Sequence, residues 1–229
     1  STPELTAGQV HIEADNIDGQ LNTEITAHGN VVVKKDTQTL FSEWSTYSQK
    51  QNRIRAGDHF TLIQPNNQID GTFLDYYIDS HTGIADAPHF SGRKKQHEFH
   101  GQGTKGEFTG VDQYRIYDAT ATTCSPNNDA WYLKSSRLDL DYTRNVGIAR
   151  HATLIFHGVP IAYTPWIDFP LNEGRKSGLL TPSLSSGSNG TELAVPYYWN
   201  IAPNYDATLT PHYNTKHGPS LGTEFRYLQ

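Results

Sequence analysis

Residues 40–60, "LFSEWSTYSQKQNRIRAGDHF", share one pattern with residues 69–90, "IDGTFLDYYIDSHTGIADAPHF". When the two stretches are aligned, Tyr47 falls on Tyr76, 29 residues further along the chain. Both copies are rich in β-branched and aromatic residues around a polar turn, a composition that indicates strand, turn, strand. A unit of this kind cannot bury its own apolar face, so the copies must stack or roll up together.

The repeat extends outward from these two copies. Ala56 and Ala85 have the same separation, residues 11–33 form a looser copy, and residues 135–156 form another. Coincidence among β-rich segments is the alternative to a true repeat. Turn-forming pairs such as Asp-Gly and Asn-Gly punctuate the chain, and helical periodicity is nearly absent. We therefore predict an all-β sandwich, roll or barrel.

The bulk composition excludes several classes of protein. The formal net charge is −6, which argues against a nucleic-acid partner because phosphate binding needs a basic surface. No run of about 18 apolar residues occurs, so the sequence predicts no transmembrane helix. Cys124 is the single cysteine, which means that no disulfide can close within the chain.

A second region begins near residue 160, where four prolines (160, 165, 170 and 182) precede segments that alternate cleanly. In residues 204–213, one face carries Tyr205, Ala207, Leu209, Pro211 and Tyr213, and the other carries Asp206, Thr208, Thr210 and His212. A transmembrane β-strand has such faces, one toward lipid and one toward a lumen, and a strand of a soluble sandwich has them too. The pattern leaves both interpretations open.

Residue patterns that would support catalysis are weak. Asp139 and Asp141 share one face of "RLDLDY" and could serve a carbohydrate-active enzyme, but nothing in the sequence fixes the separation of their carboxylates. His97 and His100 would point to opposite faces of a strand, which disfavours a metal site. We therefore expect no enzymatic activity, no cofactor and no metal site.

Three stretches carry a family resemblance: "TATTCSPNNDAW" (120–131), "VPIAYTPWIDFPLNEGRKSGLLTP" (159–182) and "VPYYWNIAPNYDATLTPHY" (195–213). Together they resemble the LptD (OstA) family of lipopolysaccharide-assembly proteins of Gram-negative bacteria. The repeats in residues 11–90 are similar to the β-strand repeats that this family shares with LptA-like periplasmic bridge proteins.

The resemblance implies an order of domains. Residues 1–165 would form a periplasmic OstA-like β-jellyroll, residues 166–174 a linker, and residues 175–229 the first strands of an outer-membrane β-barrel. The barrel would be incomplete within this chain, which leaves an open strand edge.

The implied function is transport and assembly of lipopolysaccharide at the outer membrane. Acyl chains would travel in an apolar groove between the two faces of the roll, with the sugars and phosphates in solvent. We expect the apolar members of the alternating strands to line this groove, namely Val31, Val33, Leu40, Trp44, Phe60, Leu62, Phe73 and Ile78. A periplasmic glycan-binding β-roll without lipid specificity is the alternative, and it would have aromatic residues around a shallow site.

Three further residues take roles from the resemblance. Pro182 and Pro196 match prolines that weaken strand pairing at the seam where the family's barrel opens sideways, because proline has no backbone N–H to donate. Cys124 matches a jellyroll cysteine whose disulfide partner would lie outside this chain. The implied partners are lipopolysaccharide, an LptE-type lipoprotein plug and an LptA-type bridge protein at the N-terminal edge of the jellyroll.

Overall fold

The computed structural model describes residues 9–20, 23–92, 100–122, 130–171, 177–180, 182–202 and 204–227. Within these ranges the chain forms twenty β-strands and no helix, so the prediction of an all-β protein is confirmed. Correspondingly, no helix that is long and apolar enough to span a membrane occurs in the described part of the chain. The strands are β1 (His11–Glu13), β2 (Asn16–Gln20), β3 (Glu24–Lys35), β4 (Gln38–Ser48), β5 (Arg53–Ile63), β6 (Asn67–Tyr77), β7 (Thr82–Asp86), β8 (His89–Gly92), β9 (His100–Gln102), β10 (Lys105–Gly110), β11 (Gln113–Thr122), β12 (Trp131–Asp141), β13 (Val146–Phe156), β14 (Val159–Phe169), β15 (Gly178–Leu179), β16 (Ser183–Gly187), β17 (Gly190–Ala194), β18 (Tyr197–Ala202), β19 (Tyr205–Asn214) and β20 (Gly218–Tyr227).

The strands belong to two sheets. The larger has fourteen strands, eleven of them in the order β1-β3-β4-β5-β6-β7-β10-β11-β12-β13-β14. Of the other three, β2 pairs with β3, β8 pairs with β6 and β9, and β9 also pairs with β11. The smaller has six strands in the order β15-β18-β19-β17-β16, with β20 beside β19. Every pairing whose register is resolved is antiparallel, as short hairpin connections require.

The chain divides into two compact units. The larger unit contains residues 1–143 and 149–166, and the smaller contains residues 144–148 and 167–229. Strand β14 continues to Phe169, so strand structure extends into the segment predicted as a linker.

A line of β-bulges crosses the larger sheet. The pairing register shifts between His28 and Val31 on β3, between Ser42 and Trp44 on β4, and between Gly57 and Phe60 on β5. Asn30 (46°) and Asp58 (62°) lie at these shifts and have positive φ, and Ala87 (47°), Asp118 (47°) and His151 (48°) have positive φ in or beside other strands of the sheet. Because a bulge bends its strand and increases the local twist, aligned bulges bend the whole sheet along one line.

The alternation of buried side chains also shifts by one residue on β11, whose register with β12 is unbroken. On β11, Tyr114 and Ile116 are buried before Asp118, whereas Ala119 and Ala121 are buried after it. The parity change keeps apolar side chains on the inner face on both sides of the bend. One sheet thereby covers both faces of its own core, in the manner of a jellyroll.

The sequence repeat places equivalent residues in one row of the sheet. Ala27, Ala56 and Ala85 lie in one row of the inner face, separated by Ser45 and Leu74 on the intervening strands. The three alanines are at most 1% exposed. The repeat therefore supplies a small buried side chain to every second strand of this row.

Candidate functional site

The interior of the larger unit contains six of the eight residues predicted to line a lipid groove. Each is at most 8% exposed, and they come from β3, β4, β5 and the turn after β6: Val31, Val33, Leu40, Phe60, Leu62 and Ile78. Val33, Leu40 and Leu62 stand in one row across three strands, and Ile69 of β6 continues that row. The structure therefore brings these side chains together on one continuous apolar surface.

Trp44 and Phe73 lie on the opposite face, so their expected place in the interior is corrected. Trp44, Gly57 and Phe73 form one row across β4, β5 and β6, and the two rings are 6.4 Å apart. Gly57 leaves room for the indole, since a Cβ there would lie 2.6 Å from the Trp44 ring. Both aromatics sit at the bulge line, where the parity of the alternation changes, and a strict period of two assigned them to the wrong side.

Strands β6, β8 and β10 to β12 supply interior residues that the sequence-based set omitted. Leu74, Tyr76 and Phe90 come from β6 and β8, and the others come from the later strands: Phe108, Tyr114, Ile116, Leu138 and Leu140. The alternation of apolar and polar residues in 113–117 and 137–141 could have identified the interior residues of β11 and β12. The sequence repeat drew attention to the first strands because it is clearest there.

The bend divides the larger sheet into two halves, whose strand ends meet along an edge that we call the rim. Polar contacts join the two halves at this rim. Lys35 Nζ at the β3–β4 turn lies 3.1 Å from Asp79 Oδ1 in the β6–β7 turn. Beside this pair, Gln38 Nε2 lies 3.3 Å from His81 Nδ1, and the Tyr76 hydroxyl lies 3.0 Å from the same His81 nitrogen. Burial raises the pKa of Tyr76 to about 12, because the phenolate would lose its hydration.

A second rim contact joins the β5–β6 turn to β11. Asn67 Nδ2 donates to the Tyr114 hydroxyl over 2.8 Å, and that hydroxyl donates to Gln64 Oε1 over 2.6 Å. All three residues are buried, and burial raises the pKa of Tyr114 above its usual range. These bonds form a directional chain in which each polarises the next.

The space left between the halves is small. A cavity of about 20 Å³ lies among Asn67, Ile69, Phe90, Phe108, Tyr114 and Leu140. A buried water needs roughly 10–15 Å³ on this measure, so the cavity holds a group of that size. Little free space is left in this part of the interior.

Carboxylates considered for catalysis are ion-paired on the outer face. Asp139 Oδ1 accepts from Arg115 Nε over 2.7 Å and Asp139 Oδ2 accepts from Arg137 Nε over 2.9 Å. Asp141 Oδ1 accepts a hydrogen bond from the Thr143 hydroxyl over 2.6 Å. Both carboxylate oxygens of Asp139 are therefore engaged by guanidinium groups.

The smaller unit exposes its apolar face. Strands β18, β19 and β20 display large apolar side chains that are 37% to 72% exposed: Tyr197, Trp199, Ile201, Tyr205, Tyr213, Leu221, Phe225 and Tyr227. Ala207 of the same face is covered because Trp199 and Phe225 flank it in the sheet. This face matches the one predicted from the alternation in residues 204–213.

The opposite face of the smaller sheet contains a polar cluster. Asp206 is 5% exposed, accepts from the Tyr198 hydroxyl over 3.0 Å and accepts from Arg226 Nε over 2.8 Å. Arg226 also stacks over the Tyr198 ring at 5.9 Å. A buried carboxylate with a cationic partner and a hydroxyl donor is satisfied in place.

Pro182 and Pro196 stand where two neighbouring strands are interrupted. The ladder from Gly178 and Leu179 to Tyr198 and Tyr197 ends at Pro196, whose C=O accepts the Leu180 N–H over 2.8 Å. Among the described residues, pairing is next seen at Ser183 and Ala194. Since N–H and C=O of one strand residue point to the same neighbour, the donor that Pro196 lacks would face the strand of Pro182.

Some predicted features lie outside the described residues. Cys124 and His97 are among them, so their predicted properties stay predictions.

Comparison with known proteins assigns the chain to a family. A family model described as LptD protein matches residues 148–229. The LPS-assembly protein LptD of Chromobacterium violaceum is 47% identical over 242 residues, covering 99% of this chain and 31% of that protein. LptD of Thiobacillus denitrificans is 41% identical, with 95% of this chain and 30% of that protein covered, and LptD of Neisseria meningitidis serogroup B is 39% identical, with 95% and 27% covered.

Among solved structures, the crystal structure of LptH, the LptA-homologous periplasmic component of the lipopolysaccharide transport device of Pseudomonas aeruginosa, matches with a TM-score of 0.40 and 13% identity. The match covers 52% of this chain and 86% of that one, and at this score it supports no conclusion about function. The sequence relatives, in contrast, support the assignment of the chain to a family. The chain spans less than a third of their length and belongs to the LptD family of LPS-assembly proteins.

Proposed function

We propose that the chain transports lipopolysaccharide toward the outer membrane and takes its acyl chains into the interior of the larger unit. The observation that carries the proposal is 47% identity over 99% of the chain to an LPS-assembly protein. The continuous apolar inner face agrees with it, and this face favours lipid over the glycan-binding alternative, which needs aromatic residues around a shallow site. Burial of hydrocarbon there would gain about 25 cal/mol for each Å² removed from water.

The proposal requires the two halves of the larger sheet to move apart. The described cavity of about 20 Å³ has room for about one buried water on this measure, and an acyl chain is many times larger. The polar contacts at the rim, Lys35 with Asp79 and Tyr114 with Gln64, are then the bonds that must break. Opening also separates the apolar surfaces of the two halves, and the entering acyl chains would cover those surfaces again.

Site-specific photocrosslinking in cells that export lipopolysaccharide tests the proposal. A crosslinking residue replaces Phe60 or Leu62 on the inner face of the full-length protein, and Phe73 serves as the matched aromatic control on the outer face. Lys50 is the exposed control. We expect lipopolysaccharide adducts at the two inner positions only. Adducts at Phe73 with none at Phe60 would place the lipid on the outer face and overturn the proposal.

The smaller unit would contribute the first strands of an outer-membrane β-barrel. Support comes from its exposed apolar face and its buried Asp206 cluster, because a barrel strand turns apolar residues to lipid and polar residues to the lumen. The chain would then sit with its jellyroll in the periplasm and its later strands in the outer membrane.

The strands that carry Pro182 and Pro196 would form part of a lateral gate for lipopolysaccharide. Their pairing is interrupted between Leu180 and Ser183, and each absent ladder bond weakens a seam by about 1 kcal/mol. The substitution Pro196→Ala restores an N–H toward the strand of Pro182. We expect slower appearance of lipopolysaccharide at the cell surface, measured by surface labelling after induction.

Pro211→Ala is the matched control for the gate. The Pro211 C=O accepts the Val195 N–H over 3.0 Å, so the donor that Pro211 lacks faces the strand that carries Pro196, on the side away from Pro182. Unchanged delivery in Pro196→Ala, or equal slowing in Pro211→Ala, would contradict a gate at the first seam.

The remaining partners follow from the family. An LptE-type lipoprotein would plug the completed barrel, and an LptA-type bridge protein would add to the edge formed by the short strands β1 and β2 beside β3. Cys124 would pair with a cysteine in another part of the full-length protein. Non-reducing electrophoresis of the full-length protein and of Cys124→Ser tests this pairing, and identical migration would count against it.

A transport role without catalysis is the last element of the proposal. The relatives are named as assembly proteins, and Asp139 is committed to two arginines. Replacement of Asp139 and Asp141 by Asn is expected to leave lipopolysaccharide delivery unchanged in a correctly folded protein.

A further inference from the structure

A polar pocket lies on the outer face of the larger unit, beside the turn between β4 and β5. Its volume is about 70 Å³, against about 20 Å³ for the interior cavity. A water needs roughly 10–15 Å³ on this measure, so the pocket has room for about five groups of that size. Every residue that lines it is polar or charged: Glu24, Thr46, Ser48, Gln51, Arg53 and Arg55.

The antiparallel register builds the polar pocket from three strands. Glu24 of β3 stands opposite Ser48 of β4, and Ser48 stands opposite Arg53 of β5. Thr46 and Arg55 form the next row, and this row is on the same face because side chains two residues apart on a strand point the same way. The pocket is therefore a patch of the outer sheet surface rather than a part of the interior.

Neighbouring side chains fix the position of Arg53. Its Nε donates to Asp75 Oδ1 over 2.7 Å, and its Nη2 donates to the other oxygen of that carboxylate. The guanidinium also lies over the Tyr77 ring, 5.2 Å from the ring centroid. A bidentate pair holds the guanidinium in one plane, and Asp75 balances the charge that Arg53 brings to the pocket.

The second arginine of the pocket faces a carboxylate without bonding to it. Arg55 Nη2 lies 3.7 Å from Glu24 Oε1, which is too long for a hydrogen bond. Polar groups at this distance can be bridged by a third group that accepts from one and donates to the other. A hydroxyl does both, whereas a phosphate would place negative charge against Glu24.

We propose that the polar pocket binds the hydroxyl groups of a neutral sugar. The charges of Arg53 and Arg55 are balanced by Asp75 and Glu24, so the pocket has no excess charge to attract an anion. The lining combines guanidinium donors with a carboxylate acceptor and with hydroxyls that can act as either. Adjacent hydroxyls of a sugar ring match such a lining, because each can donate and accept.

The polar pocket adjoins the rim. The turn that supplies Gln51 also contains Asn52, whose C=O accepts the Ile78 N–H over 2.9 Å. The next residue, Asp79, pairs with Lys35 across the rim. Acyl chains that enter between the two halves leave their sugars outside in water, on this side of the molecule. The inference rests on the proposed function for the source of the sugar, which would be the polar part of the transported lipopolysaccharide.

Binding of a lipid-free saccharide to the full-length protein tests the inference. The first probe is the oligosaccharide of lipopolysaccharide, freed of acyl chains and phosphates and with its carboxylates reduced to hydroxyls. The second probe is inorganic phosphate. Affinities are measured by NMR titration, and we expect the oligosaccharide to bind and phosphate not to bind. Glu24→Gln and Arg55→Gln should each weaken oligosaccharide binding by about tenfold, the effect of one charge-assisted hydrogen bond.

Lys105→Gln is the matched control for Arg55→Gln. Lys105 Nζ lies 3.7 Å from Glu107 Oε1, the same separation as that between Arg55 and Glu24, but neither residue lines the polar pocket. The substitution removes the same charge from the outer surface, and it is expected to leave the affinity for the oligosaccharide unchanged.

The possible results separate this inference from the function beneath it. Absence of oligosaccharide binding, or equal affinity in Glu24→Gln, Arg55→Gln and the unaltered protein, would overturn the sugar site and leave the lipid interior standing. Binding of phosphate that Glu24→Gln strengthens would overturn the choice of a neutral ligand. Oligosaccharide binding that depends on Glu24, in a protein that gives no lipid adducts at Phe60 and Leu62, would support the sugar site and contradict the lipid interior.

Discussion

The two units of this chain use the same alternating strand pattern in opposite ways. The larger unit buries its large apolar side chains, with Phe60, Leu74 and Leu138 at 0% exposure, and its charged residues pair on the outer surface. The smaller unit exposes Leu221, at 65%, and Phe225, at 72%, while it buries Asp206. A period of two in the sequence specifies that a strand has an apolar face, and it leaves open whether that face meets protein or lipid.

The contrast shows that one alternating strand pattern can suit either a protein interior or a lipid bilayer. In the larger unit the hydrophobic effect holds the sheet closed, and in the smaller unit it would hold the sheet in a bilayer. Substitutions that act on the buried apolar face of one unit and on the buried polar face of the other test the contrast directly.

The largest effect is expected from Phe60→Ala in the larger unit. Loss of a fully buried phenyl ring should lower the free energy of unfolding by about 3–5 kcal/mol, because the site can collapse only partly. Phe41→Ala on the neighbouring strand removes a ring that is 40% exposed, and should cost less than about 1 kcal/mol. Urea unfolding followed by tryptophan fluorescence, with Trp199→Phe in every variant, reports on the larger unit. Equal costs for the two phenylalanines would refute an inward apolar face.

Asp206→Asn should weaken the smaller unit through its polar face. The substitution removes the charge from the bond that Arg226 makes and alters the acceptor of the Tyr198 hydroxyl. We expect about ten- to hundredfold faster amide hydrogen exchange in β19, measured by mass spectrometry. Glu224→Gln removes an exposed carboxylate that is 4.0 Å from the same arginine and should leave the exchange unchanged. A similar effect of both variants would show that burial of Asp206 is unimportant.

Gly57→Ala should destabilise the bend of the larger sheet. A Cβ at Gly57 would lie 2.6 Å from the Trp44 ring, so the indole must move, at a cost of about 1–3 kcal/mol. Gly187→Ala in the smaller unit is the matched control, since nothing lies within 4 Å of a Cβ there, and its expected effect is close to zero. Unchanged fluorescence and stability in Gly57→Ala would contradict the packing of Trp44 against β5.

Alkaline pH should affect the larger unit through Tyr76. Burial raises its pKa to about 12 in the folded protein against 10.0 for the ordinary value, so the folded state holds the proton more tightly. The associated stability is fully present below pH 10 and is lost as the pH rises toward 12, by about 1.4 kcal/mol for each pKa unit.

The variant Tyr76→Phe isolates this contribution. Its unfolding free energy should fall less steeply between pH 10 and 11, by about 1 kcal/mol, than that of the unaltered protein. The comparison cancels the titration of lysines, which both proteins share. Parallel pH profiles would mean that the Tyr76 hydroxyl is not desolvated.

Much of the candidate site could be predicted from the sequence, and the failures have a common cause. Val33, Leu40 and Leu62 follow a strict period of two within one half of the sheet, and the structure buries all three on the inner face. Trp44 and Phe73 lie at bulges, where one extra residue reverses the faces. A bulge on a single strand leaves little trace in the composition, so the sequence could not reveal the reversal. The polar contacts at the rim also escaped prediction, because Asn67 and Tyr114 are 47 residues apart.

By itself, the sequence determined that the chain is all-β, that it repeats, and that its second region alternates, because propensity and periodicity are local properties of the chain. Its quoted stretches also carried the family. Only the tertiary structure decided where the sheet bends, which aromatics face inward, and that Asn67 meets Tyr114 across the interior. These features depend on which distant strands become neighbours, and that choice is made by the combined burial of many side chains rather than by any one segment.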